Sequence, residues 1–271
     1  PKGPLTWRVL LAVYAIPGIA WAVWFAWWFR NTPEEFASAG PTPQVPVQAD
    51  RMQTSASARG SVSWLVLLGL PLWLICAQQF LRAGGARFVD QWLARYLETV
   101  PLRSETDEAI RLATAKHYST IPQYAGVLGG LIGGAISDWI LHRLRNQWLA
   151  RNGVAVFSLG SGSVCFLALF LVDEALPQVF CLTIGYFLVT FASPCAYALT
   201  MDLGGKNLPL VFGAMNMVGN FGAAAVTGVV PWLNRLTPDT WTASLVMFIG
   251  IHTLAAIIWL ILNPRRSLGE S

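Results

Sequence analysis

An all-α polytopic membrane protein is the fold class this sequence predicts, and three observations predict it. Only 12% of its 271 residues are charged and 55% are hydrophobic, whereas a soluble domain carries about 25% charged residues. Its 13 tryptophans suit the headgroup level of a bilayer, where Trp and Tyr collect. Apolar runs close to the roughly 20 residues that cross a hydrocarbon core recur along the chain.

Seven such spans follow in order. The first runs from about Leu10 to Phe29 and ends in the aromatic cluster WAVWFAWWF. The second covers Trp64 to Leu81 and continues, bent, to Leu97. The third is Ile121 to Ile136, the fourth Val154 to Val172 and the fifth Gln178 to Leu199. Leu210 to Leu233 and Trp241 to Leu262 complete the set. Between the first two lies a stretch rich in Pro, Ser, Thr and Ala, which cannot bury enough apolar surface to fold and reads as a linker. The domain reading is therefore a lone helix in 1–29, a linker in 30–63 and a six-helix group in 64–271. Glu98 to Thr120 is polar and suggests at most a short surface helix. The chain opens on Pro1 with no visible signal peptide, and it reads as a piece of a longer polypeptide.

Lys and Arg in the loops orient the spans. With the linker inside, that side holds nine: Arg30, Arg51, Arg59, Arg143, Arg145, Arg151, Lys206, Arg265 and Arg266. The other holds six: Lys2, Arg8, Arg103, Arg111, Lys116 and Arg235. Linker and C-terminus are thus expected in the cytoplasm. The net charge of +4 follows from topology and is no argument for nucleic acid. Cys76, Cys165, Cys181 and Cys195 all sit in apolar runs, without CxxC or Cys/His spacing, and read as small buried hydrophobes. His117, His142 and His252 are scattered, so neither a metal site, a cofactor site nor a His-based catalytic set is expected.

Polar groups at membrane depth are the functional candidates. Arg82 lies deep in the second span, with Gln78 four residues before it on the same face. No acidic residue is near it in sequence, and an unpaired arginine in a wet cavity anchors a carboxylate or phosphate. Gly84 and Gly85 would let this helix bend. Gly213, Asn216, Asn220 and Thr227 make one stripe of the sixth span, and Ser193, Tyr197 and Thr200 could line the same interior beside the kink expected at Pro194. In the third span, AGVLGGLIGGAISDW spaces Gly126, Gly130 and Gly134, and Gly129 and Gly133, every four residues, which allows close helix packing. Asp138, at its end, is expected to pair with an arginine or a helix N-terminus, with Arg143 and Arg145 in the adjacent loop.

Several of these pieces together resemble the major facilitator superfamily, in its anion:cation symporter branch of hexuronate, glucarate, galactonate and vesicular glutamate transporters. WWFRNTPEE is similar to the end of that branch's sixth helix, QQFLRAGGARFVDQWLARYL to the seventh, and GVLGGLIGGAISDWILHRLR to the eighth with its glycine–aspartate–arginine motif. SPCAYALTMDLGGKNLPLVFGAMNMVGNFGAAAVTGVVPWL is similar to the tenth and eleventh, with a distinctive M-N-M-x-G-N core. The resemblance implies helices six through twelve of a twelve-helix fold, with the first half missing. It implies anion contact at Arg82, a substrate pocket near Asn216 and Asn220, and a conformational role for Gly130, Gly134, Asp138, Arg143 and Arg145. The implied function is symport of a sugar acid or other organic anion with a proton or another cation, across a bacterial inner membrane, with the bilayer and the absent half as partners. A facilitator or exporter of another small molecule, a non-transporting receptor built from a half transporter, and a membrane-embedded enzyme are the competing classes. The last would need clustered His, Asp or Cys at one interface.

Overall fold

The computed structural model describes residues 4–28, 69–237 and 239–262. Every regular element among them is helical. Helix α1 is Pro4–Trp28, α2 Leu70–Gln91, α3 Leu93–Thr99 and α4 Glu108–Leu144. A π-helical turn, Leu149–Gly153, leads into α5, Val154–Leu167, which ends in a 3-10 turn. Then come α6, Ala175–Val189, α7, Ala192–Gly204, α8, Leu208–Leu236, and α9, Thr242–Ile261. Contacts divide the chain into two units, 1–59 and 60–271. The linker assigned to residues 30–63, the start of the second span and the C-terminal tail lie outside the described residues.

Six helical segments are long and apolar enough to cross a membrane: Leu11–Trp28, Glu108–Leu144, Leu149–Leu171, Ala175–Gly204, Leu208–Leu236 and Thr242–Ile261. Helix α2 has the length, 22 residues, but its Gln78, Gln79, Arg82, Arg87 and Asp90 make it too polar for that set. An all-α polytopic membrane protein is what these elements build. The first unit's α1 carries a tryptophan ladder, with Trp24 stacked on Trp28 at 5.4 Å and Trp21 at 4.9 Å from Trp24.

The second unit is arranged around α2. Helix α8 makes the most extensive contact with it and α9 packs on it as well; α5 packs on α9, and α6 joins α5 to α4. The α2–α8 contact is a glycine seam. A Cβ at Gly222 would collide with the Phe80 carbonyl, and one at Gly84 would come within 2.9 Å of Val226. These glycines let the backbones touch, as membrane helices require when lipid offers no hydrophobic drive. Gly85 makes room for His252, which is buried between Phe166 and Phe248. Helix α2 runs unbroken through Gly84 and Gly85, which serve its close approach to α8 and α9. The helix is interrupted at Trp92, between α2 and α3.

Two boundaries also differ from the sequence reading. The polar stretch before the third span is no separate surface helix, since α4 runs unbroken for 37 residues from Glu108. Asp107 Oδ1 caps it, accepting from the Ala109 and Ile110 amides at 2.9 and 3.2 Å, which satisfies two of the orphan donors of the first turn. The kink expected at Pro194 is a full break, α6 ending at Val189 and α7 starting at Ala192. Proline leaves the Thr190 carbonyl without its helical donor, and the Ser193 amide takes it at 3.0 Å. At the far end of α9, Asn152 Nδ2 donates to the Trp259 and Leu262 carbonyls at 2.8 and 2.7 Å, tying the π-helical turn to that terminus.

Candidate functional site

The break before α7 aims Ser193 and Tyr197, one turn apart, at Arg82 on α2. Arg82 Nη1 donates to Ser193 Oγ at 2.9 Å, and Nη2 donates to the Tyr197 hydroxyl at 3.2 Å. The guanidinium carbon also sits 5.4 Å from the Tyr197 ring centroid, within the range of a cation–π contact. Three residues singled out in the sequence thus meet across 111 and 115 positions of chain.

The fourth member is Gln79, which the sequence reading passed over in favour of its neighbour. Gln79 Oε1 accepts from Arg82 Nε at 3.0 Å and from Nη2 at 2.9 Å. Gln78 is instead buried, with its Oε1 unpartnered, and makes no bond to Arg82. The rotation of α2 against α8 decides between them: Gly219 leaves the space that the Gln79 side chain fills, its Cγ lying 2.9 Å from where a Cβ would stand. No carboxylate among the described residues pairs with Arg82, so its charge is held only by neutral acceptors.

Asn216 and Asn220 stand exposed on α8, with Asn220 Nδ2 donating back to the Asn216 carbonyl at 3.0 Å. Phe212, one turn before Asn216, stacks on Tyr197 at 5.7 Å and so joins the asparagine stripe to the arginine site. Thr227, on the same stripe, bonds Gln91 Oε1 at 3.0 Å. Thr200 does not join them: it is fully buried and donates to the Ala196 carbonyl at 2.7 Å.

A second polar cluster lies at the end of α4. Asp138 does pair with an arginine, but with Arg151 of the π-helical turn, Nη1 to Oδ1 at 2.9 Å. Arg151 also donates to Ser137 Oγ at 2.6 Å and faces Asp202 of α7 at 3.8 Å, while Gln147 Nε2 bonds that same carboxylate at 2.9 Å. Arg143 and Arg145 stay exposed; Arg145 adopts the left-handed C-cap of α4, its amide bonding the Leu141 carbonyl. Among the glycines, Gly126, Gly129 and Gly133 are the ones pressed against α6 and Phe191. Gly130 faces open space, and Gly134 meets Pro194 only at 3.4 Å.

A cavity of about 290 Å³ elsewhere is lined by Arg95, Glu98, Thr99, Arg103, Arg111 and Asp239. Two of its three arginines are paired, Arg95 with Glu98 at 2.9 Å and Arg103 with Asp239 at 3.4 Å, and Arg111 reaches the Glu105 carbonyl at 3.5 Å.

Residues 3–227 match the family model of the Major Facilitator Superfamily. The chain belongs to that superfamily. A probable sulfoacetate transporter of Cupriavidus necator is 24% identical over 225 residues, covering 83% of this chain and 50% of the relative. A probable galactarate/D-glucarate transporter of Escherichia coli is 23% identical over 221 residues, covering 78% and 46%. The chain spans about half the length of the curated relatives it matches. Both relatives are named as transporters of organic anions, in keeping with the anion branch, and family and relatives alike point to a transporter rather than an enzyme. The matched stretch contains Arg82, Gln79, Ser193, Tyr197 and both asparagines of this superfamily member.

Proposed function

We propose that the chain forms the substrate-binding part of a secondary active transporter that carries an organic anion, a sugar acid or a similarly small acid, by alternating access. A proton or another cation drives it, and the substrate is not chemically altered. The observation that carries this reading is the half-buried Arg82 guanidinium, paired with no carboxylate among the described residues and held by Gln79, Ser193 and Tyr197 between α2 and α7. An ionisable side chain is retained at such depth at a cost of several kcal/mol, and an anionic cargo would recover that cost by pairing with it. The names of the two relatives support the same class of cargo. The exposed stripe of Asn216 and Asn220, offering carboxamide donors and acceptors beside Phe212, suits the hydroxyl-bearing remainder of such a molecule.

Binding would bias an equilibrium between two arrangements of the helices. The Asp138–Arg151–Asp202 cluster, joining α4 to α7, is suited to hold one of them shut, with Gly134 in light contact with Pro194 of α7 and Gly130 open beside it. The excess of Lys and Arg on the linker side supports a cytoplasmic linker and C-terminus, and an inner bacterial membrane is the proposed location. Asn216 and Asn220 would then face a first set of helices, as the doubled length of the relatives suggests.

The test is uptake of labelled glucuronate, galactonate and glutamate by the full-length protein in liposomes, under an inward proton gradient, with Arg82→Ala alongside. Gradient-dependent uptake that Arg82→Ala lowers at least a hundredfold supports the reading. Uptake indifferent to Arg82 would leave the fold in place and favour a facilitator or exporter of a different cargo.

A further inference from the structure

The hydrogen bonds around Arg82 constrain the shape of the anion it receives. An arginine has five N–H donors, and a carboxylate normally takes two parallel ones from a single edge of the fork. Here the Nε/Nη2 edge is already occupied, because Gln79 Oε1 accepts from both nitrogens at 3.0 and 2.9 Å. The Nη1/Nη2 edge is divided between two hydroxyls, Ser193 Oγ at 2.9 Å and the Tyr197 hydroxyl at 3.2 Å. Four of the five donors are spent on neutral acceptors, and one Nη1–H is left.

Ser193 and Tyr197 each accept from Arg82, so each hydroxyl hydrogen points elsewhere. Among the described residues neither hydroxyl donates to a protein acceptor, although Thr183 on α6, Thr190 in the break and Thr200 on α7 all turn theirs onto the carbonyls of Val179, Phe187 and Ala196. Three donors on three separate atoms therefore remain around one positive charge: an Nη1–H, the Ser193 O–H and the Tyr197 O–H. A planar carboxylate offers two oxygens and fits one fork edge. A tetrahedral head with three equivalent oxygens can take one donor on each.

Resting on the reading of Arg82 as the substrate anchor, we propose that the site prefers a sulfonate-type –XO3 head group over a carboxylate. Ser193 and Tyr197 contact the substrate directly, and Gln79 is the positioning residue that closes the carboxylate edge of the fork. Preference is set by donor count rather than by charge, because the matched acids carry the same charge.

The experiment uses matched pairs that differ only in the head: 2-hydroxyethanesulfonate against 3-hydroxypropionate, and 3-sulfopropionate against succinate. Affinities are read from ligand-induced thermal stabilisation of the purified full-length protein, at a pH where all heads are ionised. At least one sulfonate should bind tenfold or more tightly than its carboxylate partner. Ser193→Ala and Tyr197→Phe, each removing one donor, should weaken the sulfonate about tenfold and the carboxylate less than threefold. Equal or tighter binding of the carboxylates, absence of binding by both sulfonates, or equal losses for both heads overturns the preference. Arg82→Lys separates this from the anchor itself: if both heads lose affinity there while showing no preference in the wild type, the anchor stands and the head-group assignment falls. If neither head responds to Arg82, the anchor falls.

Discussion

Arg82 is useful to an anion only while its charge is uncompensated, and that condition depends on residue 79 being an amide. Gln79 orders the guanidinium through two short bonds without adding a negative charge. A carboxylate of the same length would make the same two contacts as an ion pair, with charge-assisted bonds roughly twice as strong as neutral ones. Gln79→Glu is therefore expected to leave the helices in place and lower anion affinity at least tenfold, about 1.4 kcal/mol. Ligand-induced stabilisation together with the unliganded Tm checks it. Undiminished affinity in Gln79→Glu would show that Arg82 is not where the anion sits. The arginine itself was legible from sequence, because an ionisable group within an apolar run is conspicuous. Its partner was not, since Gln78 and Gln79 stand four and three residues away and either spacing puts a side chain beside it. Only the packing of α8, through Gly219, selects the second.

Helix α4 presents the same ambiguity at the scale of an element. Its glycines form two interleaved series, and spacing alone shows that something packs closely without saying on which face. On a helix of 3.6 residues per turn Gly126, Gly130 and Gly134 span an arc of about 80°, and Gly126, Gly129 and Gly133 about 60°, so spacing does not choose between the two series. The contact runs through Gly126, Gly129 and Gly133, at steps of three and four. A Cβ at Gly129 would overlap the Phe187 carbonyl and Thr190 Oγ1, backbone and a tied hydroxyl that cannot retreat. Gly129→Ala should therefore destabilise the protein by about 1–3 kcal/mol, the usual range for overpacking. Gly130→Ala meets nothing within 4 Å and should be neutral, or gain up to about 1 kcal/mol of helix propensity. Thermal unfolding in detergent compares the two, and equal effects would refute the assigned face. The apolar spans were readable from sequence for a related reason: length and hydrophobicity are properties of one element. The unbroken start of α4 and the true partner of Asp138 depend on a cap and on a turn 13 residues away, which hydropathy does not register.

At the scale of the whole molecule, exposure alone does not tell lipid from water. Leu131 is 69% exposed and Phe180 65%, as a lipid-facing surface should be. Met217 and Phe221 on α8 are exposed at 58% and 61%, yet Asn216 and Asn220 lie open beside them. Apart from the Asn220 bond to the Asn216 carbonyl, these carboxamides would lack partners in hydrocarbon, at a cost of several kcal/mol, so the α8 face should meet water or another helical surface, whereas the α4 and α6 faces should meet acyl chains. Single cysteines can separate these environments. Of the native thiols, Cys76 and Cys195 are buried, while Cys165 and Cys181 are half-buried and would be changed to alanine first. In that background Asn216→Cys and Asn220→Cys of the full-length protein should react with a membrane-impermeant thiol reagent, and a bound anion should slow the reaction several-fold. Leu131→Cys and Phe180→Cys should stay unlabelled until the bilayer is dissolved. Labelling at Asn216 that anion slows would join the asparagine stripe to the Arg82 site in one aqueous cavity. Asn216 and Leu131 behaving alike would place the stripe outside that cavity, and the carboxamides would then serve helix packing alone.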